Sequence, residues 1–264
     1  MRKRLSEKKH SEKKKRLVPF LPNFITTIGL FCGFYSISFS LKGSFIMASI
    51  FILIAGFIDG VDGRVARMTN SVSDFGKQYD SLSDVICFGV APAIMVYLWQ
   101  LNLYERFGFI ACFLFVACGA LRLARFNIDT TPHPTSFKGL PIPVAAGGVA
   151  SMVLLTRVVG TIDAWMVLLV MYLLSFLMVS NIRYPSFKQL SFIRAHPFQL
   201  LVCGVLLLVV VALSPEIMLF VLAMTFIVGG ALWDGVRYLV ALRREKKEEK
   251  GATDERATGK DNHI

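Results

Sequence analysis

Two apolar stretches, each long enough to cross a lipid bilayer, are joined by a segment that contains the aspartates Asp59, Asp62, Asp80 and Asp84. An unpaired carboxylate inside a bilayer costs at least about 2.5–3.5 kcal/mol on insertion scales. Four of them are tolerated only where water or a positive charge offsets their charge. This segment therefore restricts the chain to membrane folds that contain a polar notch.

The spacing of these carboxylates predicts two helix faces. Asp59 and Asp62 are three residues apart, and Asp80 and Asp84 are four apart, so each pair lies on one side of a helix. The connection from Met68 to Phe75 is short and polar, and we expect the two helices to be antiparallel neighbours that present their acidic faces to each other. The alternative interpretation is an acidic loop that only caps two helix ends.

A hard divalent cation would relieve the repulsion between four carboxylates in one cleft, because Mg²⁺, Mn²⁺ and Ca²⁺ prefer oxygen ligands. The four histidines lie outside the apolar stretches. The five cysteines lie inside them without a CxxC pair, which favours a packing role. The candidate metal ligands are therefore the aspartates alone.

The remaining sequence is typical of an all-α integral membrane protein. Of its 264 residues 55% are hydrophobic, and the apolar residues fall in blocks close to the length of a membrane span. We predict a polytopic bundle of about eight transmembrane helices with a cytosol-facing polar notch. The predicted spans are residues 22–41, 44–67, 76–99, 107–125, 142–159, 161–180, 197–213 and 216–240.

Three regions follow from this division. Residues 1–16 form a basic cytosolic arm, 17–242 the transmembrane domain, and 243–264 a charged, disordered cytosolic tail. We attribute the net charge of +11 to segments that lie at the membrane surface, and it does not indicate a nucleic-acid partner. The charged start precedes a full-length span without a small-residue cleavage site, so no cleaved signal peptide is expected.

Positive charges predict the orientation of the spans. Only Lys42, Arg106 and Arg157 fall between spans on the outer side, whereas the other 26 of the 29 lysines and arginines fall on the inner side. We therefore expect a multi-pass protein of the cytoplasmic membrane with both termini and the aspartate notch facing the cytosol. Labelling of cysteines introduced at Ser6 and at Lys42 from opposite sides of the membrane would test this orientation.

The aspartates belong to a longer pattern, Asp59-x-x-Asp62-Gly63-x-x-Ala66-Arg67, eight residues, then Gly76-x-x-x-Asp80-x-x-x-Asp84. This pattern resembles the motif of the CDP-alcohol phosphatidyltransferase family at every fixed position. The family resemblance implies a divalent-metal enzyme that moves a phosphatidyl group from a CDP-lipid to an alcohol and releases CMP. It also suggests a homodimer.

The resemblance implies roles for individual residues. Metal binding falls to Asp59, Asp62, Asp80 and Asp84, with two Mg²⁺ or Mn²⁺ ions as the expected cofactor and Ca²⁺ as a substitute or inhibitor. Asp84, one turn deeper than Asp80, is also the implied general base. The implied CDP-lipid site consists of Asn23, Thr26, Asp62, Gly63, Ala66, Arg67, Gly76 and Asp80. From the residues alone, Asn23 could equally cap the first helix.

Three further stretches resemble the phosphatidylserine synthase branch of the family: LPNFITTIGLFCGF from Leu21, RLARFN from Arg122 and FKGLPIP from Phe137. The first departs from the branch at Gly29, where Asn is expected. The branch implies L-serine as the acceptor, with Arg122, Arg125, Asn127 and Lys138 as the acceptor-binding residues. Positive-inside anchoring is the alternative role for the two arginines.

The predicted function is therefore transfer of phosphatidyl from CDP-diacylglycerol to the hydroxyl of L-serine, giving phosphatidylserine and CMP, among membrane lipids. One alternative is the same chemistry with glycerol 3-phosphate, inositol phosphate or choline as the acceptor. The other comes from a different class, a cation- or proton-coupled transporter, because buried aspartates also mark ion pathways.

Overall fold

Seven helices and two short strands make up the part of the chain that the structure, a computed structural model, describes: residues 20–69, 73–128, 136–185, 214–230, 232, 233 and 235. The helices are α1 Phe20–Leu41, α2 Phe45–Met68, α3 Asp74–Trp99, α4 Glu105–Ile128, α5 Ile142–Val159, α6 Ala164–Val179 and α7 Pro215–Gly230. The strands are β1 Ser136–Lys138 and β2 Arg183–Pro185.

The helices α1 to α5 are long and apolar enough to cross a membrane, and α6 and α7 are shorter apolar helices. The prediction of a helical, multi-pass membrane protein is thereby confirmed. The first six predicted spans each have a helix, and α7 begins where the eighth was expected. The seventh, residues 197–213, lies outside the described residues, as do the terminal regions 1–16 and 243–264. The count of eight spans therefore stays a prediction.

Helix α1 lies beside both of the helices that contain the aspartates. A tight turn at Gly43, with φ of 73°, reverses the chain, and α2 then packs along the length of α1. The first half of α3 also contacts α1. The sequence pattern predicted only that α2 and α3 face each other, whereas the structure adds α1 as a third wall of the cleft.

Helix α3 changes its winding directly after the last aspartate. Its first part, Asp74–Asp84, is α-helical and begins at Ser73, whose Oγ accepts a hydrogen bond of 3.0 Å from the Gly76 backbone N–H. The next six residues, Val85–Val90, form a π-helical turn, and α-helix resumes at Ala91–Trp99. Such turns are common at functional sites in helices.

The hydrophobic core is centred on α5 and the π-helical turn. Most of α5 from Ile142 to Leu154 is buried, and it contacts both α2 and the turn. Close contacts between helices depend on glycine: a Cβ at Gly119 would collide with the Ile142 side chain. Around this core α4 packs against α6.

Two chain segments are tied together beside the ends of α4 and α6. The strands β1 and β2 pair in antiparallel register, with Lys138 opposite Arg183. The Gly139 N–H donates to the Ile182 carbonyl at 2.8 Å, and the Leu140 N–H to the Leu177 carbonyl at 3.0 Å. Gly139 has a φ of 79°, and a Cβ there would collide with the Met178 carbonyl oxygen, so glycine is required.

The contact between α1 and the π-helical turn gives a stability prediction. A Cβ at Gly33 would lie 2.5 Å from Cys87 Sγ and 3.0 Å from the Cys87 backbone Cα, which cannot rotate away. We expect Gly33→Ala to lower the free energy of unfolding by about 1–3 kcal/mol, as overpacked cores do. Thermal unfolding in detergent measures this change.

Gly147→Ala is the matched control, because no heavy atom of the described residues, apart from the helix's own backbone and the two chain neighbours, lies within 4 Å of a Cβ at that position. It should keep or slightly raise the melting temperature, since alanine favours helix over glycine. Equal melting temperatures for Gly33→Ala and the wild type would contradict the close packing of α1 on α3.

Candidate active site

The four aspartates meet in one cleft between α2 and α3. One carboxylate oxygen from each of Asp59, Asp62 and Asp80 lies within 4.8 Å of the other two. Asp84 lies outside this group of three, but it borders the same small space as Asp59, Asp62 and Asp80. Asp62 is the most buried of the four, with 5% of its surface exposed. The residues predicted from their spacing to share a site are therefore together.

The donor set fits a hard divalent cation. All of the clustered side-chain donors are carboxylate oxygens, which Mg²⁺ and Mn²⁺ prefer. Asp80 Oδ1 is buried and makes no hydrogen bond to any described residue, so it is available as a ligand. The space between the carboxylates has a volume of about 10 Å³, close to that of one water-sized sphere. Its size suits an ion but not a nucleotide.

Helix α1 supplies polar groups to the same cleft. Thr26 Oγ1 lies 3.0 Å from Asp62 Oδ2 and 3.0 Å from the Pro22 carbonyl oxygen, so its hydroxyl can donate to the carboxylate. Asn23 stands one turn earlier, and its Oδ1 would lie 3.1 Å from a Cβ at Gly76. Asn23 and Gly76, both predicted for the CDP-lipid site, therefore lie beside each other at the start of α3.

The remaining predicted donor-site residues occupy the end of α2. Gly63 follows Asp62 directly, and Ala66 and Arg67 lie in the last turn of α2. The side chains of Ala66 and Arg67 are outside the described part of the structure. Their assignment to the donor site stays a prediction.

Arg122 lies on α4, which packs against the π-helical turn and the last part of α3. Its guanidinium is close enough to Asp84 for their opposite charges to interact. Its Nε is buried and forms no hydrogen bond with a described residue. A buried donor without a partner is costly, so this nitrogen is suited to an acceptor from a ligand.

Asn127 and Arg125, the other acceptor-site candidates on α4, are exposed and each has a partner. Asn127 Nδ2 donates to Ser81 Oγ on α3 at 2.9 Å. Arg125 Nη2 donates to Asn181 Oδ1 at 2.9 Å, in the segment that follows α6. Lys138 lies in β1, and its side chain is outside the described residues.

Several residues near the site were not identified from the sequence. Tyr79 shares a hydrogen bond of 2.9 Å with Thr27, and this bond joins α1 to α3. Ser81 and Asn181 contact the predicted acceptor residues. Ser81 stands between two motif aspartates, so its position was a usable signal. Asn181 lies 56 residues from its partner, and no local pattern indicates such a contact.

Known proteins show strong similarity to this chain. The sequence model of the CDP-alcohol phosphatidyltransferase family matches residues 19–177. A CDP-diacylglycerol–serine O-phosphatidyltransferase of Helicobacter pylori is 45% identical over 174 residues, which cover 64% of this chain and 73% of the relative. A protein of the same name from Bacillus subtilis is 36% identical over 176 residues, covering 64% and 92%.

An archaetidylserine synthase of Methanothermobacter thermautotrophicus is 41% identical over 167 residues, covering 62% of this chain and 69% of the relative. The family match covers more than half of the chain and contains every motif aspartate and α1 to α5. With the cluster of carboxylates that the motif forms in the structure, these similarities lead to one conclusion. The chain belongs to the CDP-alcohol phosphatidyltransferase family.

Proposed function

We propose that this protein transfers the phosphatidyl group of CDP-diacylglycerol to the hydroxyl of L-serine, producing phosphatidylserine and CMP. The observation that supports this chemistry best is the cleft in which Asp59, Asp62 and Asp80 approach within 4.8 Å and Asp84 borders the same space. Family membership supports the CDP-lipid donor. The names of the relatives support serine as the acceptor.

The donor's diphosphate would bind beside the acidic cluster. Asp59, Asp62, Asp80 and Asp84 would hold two divalent ions, Mg²⁺ or Mn²⁺. Bound there, such ions would neutralise phosphate charge and make the acceptor hydroxyl more acidic. Asn23, Thr26 and the glycines Gly63 and Gly76 would border the nucleotide, because small residues allow close approach. Arg67 would balance phosphate charge.

Asp84 is the proposed general base. It takes the proton from the serine hydroxyl as the oxygen attacks the phosphorus next to diacylglycerol, and the bond to CMP breaks. Its position supports this role, since it borders the same space as the other aspartates and lies close enough to the Arg122 guanidinium for their charges to interact. The acceptor would therefore approach from the α4 side of α3.

Arg122 is the better of the two arginines for binding the serine carboxylate. It is half-buried, with a buried Nε that has no partner among the described residues, whereas Arg125 is exposed and already donates to Asn181. A charged hydrogen bond from a buried guanidinium is also stronger than one at the surface. Lys138 remains a further candidate.

The two alternative functions make different demands on the site. Glycerol 3-phosphate or inositol phosphate would favour several converging cations, and choline needs no carboxylate partner. A transporter would need further polar groups along a path. In the described residues, the one acidic cluster suited to a cation lies at the α2–α3 cleft. Family membership favours the enzyme.

The proposed setting is the cytoplasmic membrane, with both termini and the active site on the cytosolic side, where the acceptor is dissolved. The three outer-side cations support this orientation: Lys42 follows α1, Arg106 begins α4 and Arg157 ends α5. The homodimer is proposed from the family resemblance alone.

The proposed reaction can be tested with a panel of acceptors. Purified protein with CDP-diacylglycerol and Mg²⁺ or Mn²⁺ should release CMP with L-serine, and only at background rates with glycerol 3-phosphate, inositol phosphate or choline. Lipid chromatography should identify the product as phosphatidylserine. Preference for glycerol 3-phosphate would overturn serine as the acceptor, and no CMP release with any alcohol would overturn the enzyme assignment.

Asp84→Asn should abolish turnover while largely preserving CDP-lipid binding, because the amide keeps the shape of the side chain but cannot accept the proton. CMP release and binding of labelled CDP-diacylglycerol measure the two effects. Asp74→Asn is the matched control: Asp74 is exposed at the start of α3 and 3.9 Å from Lys77, so activity should persist. Wild-type turnover in Asp84→Asn would remove the proposed base.

Arg122→Ala should raise the KM for serine roughly 10- to 150-fold, because a charged hydrogen bond to a carboxylate is worth about 1.5–3 kcal/mol. The KM for CDP-diacylglycerol should change far less. Arg125→Ala, on the same helix, should have the smaller effect. If both variants lose CDP-lipid binding and keep the KM for serine, these arginines belong to the donor site instead.

A further inference from the structure

Ser81 and Asn127 form a polar pair across the space between α3 and α4. Asn127 Nδ2 donates to Ser81 Oγ at 2.9 Å, which joins the middle of the first part of α3 to the last turn of α4. Ser81 directly follows Asp80 and stands three residues before Asp84, on the side of the helix that α4 approaches. The pair is therefore one helical turn from the proposed base.

This hydrogen bond leaves the Ser81 hydroxyl proton and the Asn127 carbonyl oxygen available. The Ser81 oxygen accepts from Asn127, so the Ser81 hydroxyl proton is free to donate. Asn127 Oδ1 can accept two further hydrogen bonds. Neither group has another hydrogen-bond partner among the residues that the structure describes. Ser81 is half-buried and Asn127 is exposed, so a dissolved molecule can reach both.

We infer that Ser81 and Asn127 are specificity-determining residues that recognise an acceptor by its α-amino acid group; this inference rests on the proposed function. The Ser81 hydroxyl donates to the carboxylate together with Arg122, and Asn127 Oδ1 accepts from the ammonium. The acceptor's own hydroxyl is thereby directed to Asp84. The hydrogen bond between Ser81 and Asn127 holds the Ser81 hydroxyl and Asn127 Oδ1 at a fixed distance from each other.

This arrangement matches a zwitterion better than the other acceptors. A carboxylate needs hydrogen-bond donors and an ammonium needs an acceptor, and Ser81 and Asn127 offer one of each at their 2.9 Å contact. Choline has no N–H to donate to Asn127 Oδ1 and no carboxylate for Ser81. A phosphorylated alcohol would place a larger anion beside the carbonyl of Asn127. A wrong acceptor would leave polar groups of Ser81 or Asn127 without a hydrogen-bond partner, and this cost discriminates against it.

Two substitutions separate the two halves of this recognition. Ser81→Ala removes the donor to the carboxylate and should raise the KM for serine about tenfold. It should weaken inhibition by L-alanine and by 3-hydroxypropionate to a similar degree, since both have the carboxylate. Asn127→Leu removes the acceptor for the ammonium. It should raise the KM for serine and the Ki of L-alanine, while the Ki of 3-hydroxypropionate changes little.

Controls distinguish recognition from a general loss of structure. Ser81→Thr keeps the hydroxyl and should restore most of the serine affinity. Ser40→Ala removes a hydroxyl that donates to the Ser36 carbonyl at 2.8 Å, near the other end of α1, and should leave all constants unchanged. The KM for CDP-diacylglycerol should stay within about twofold of the wild type in each variant.

Two results would overturn the inference while leaving the proposed function intact. One is a wild type that makes phosphatidylserine and a Ser81→Ala variant with an unchanged KM for serine. The other is an equal rise in KM for serine and CDP-diacylglycerol, which indicates a structural role. If Ser81→Ala does not accumulate in the membrane, Ser81→Cys makes the same test. A wild type that releases CMP only with other alcohols would instead contradict the proposed function.

Discussion

Repulsion between carboxylates is the constraint on which the rest of this structure depends. Two unit charges 4.8 Å apart interact by roughly 3–4 kcal/mol at an effective dielectric constant near 20, and Asp59, Asp62 and Asp80 form three such pairs. The described hydrogen bonds offset only a part of this repulsion. The Thr26 hydroxyl donates to one oxygen of Asp62, and Asp80 Oδ1 has no partner among the described residues. The cleft is therefore suited to bind positive charge. Without such charge the repulsion between the carboxylates destabilises the cleft, and the close packing of the surrounding helices offsets this cost.

The packing that holds the cleft is concentrated directly beneath it. The π-helical turn Val85–Val90 begins at the residue after Asp84, and its buried face meets α1 at Gly33 and the buried helix α5. Closely packed interiors respond to strain as a unit, so the depth and direction of the aspartates on α3 are set by contacts one to two turns away from them. The same short segment of α3 therefore contributes both to the stability of the fold and to the position of the motif aspartates.

Local features of the site could be predicted from the sequence, whereas contacts between distant residues could not. The spacing of Asp59, Asp62, Asp80 and Asp84 fixes their helix faces, because helical periodicity is a local property. The contact of Thr26 with Asp62 and that of Ser81 with Asn127 span 36 and 46 residues and depend on how whole helices pack. The π-helical turn was also missed, since six residues of ordinary helix-compatible sequence do not distinguish it from α-helix. Resemblance to known sequences supplied the roles predicted for Asn23 and Arg122, which spacing alone left open and which stay predictions.

The order of the site residues along the chain determines the order in which the site can be assembled during synthesis. The carboxylate cluster requires α1, α2 and the first part of α3, so it cannot form until residue 84 has left the ribosome. The polar residues of α4, Arg122 and Asn127, arrive some forty residues later, and α5, which packs against the π-helical turn, follows them. At the usual pace of about 5–20 residues per second, the nascent protein exists for seconds with an acidic cleft open towards the missing α4. Divalent cations could therefore reach the carboxylates of a newly inserted chain before α4 stands beside them.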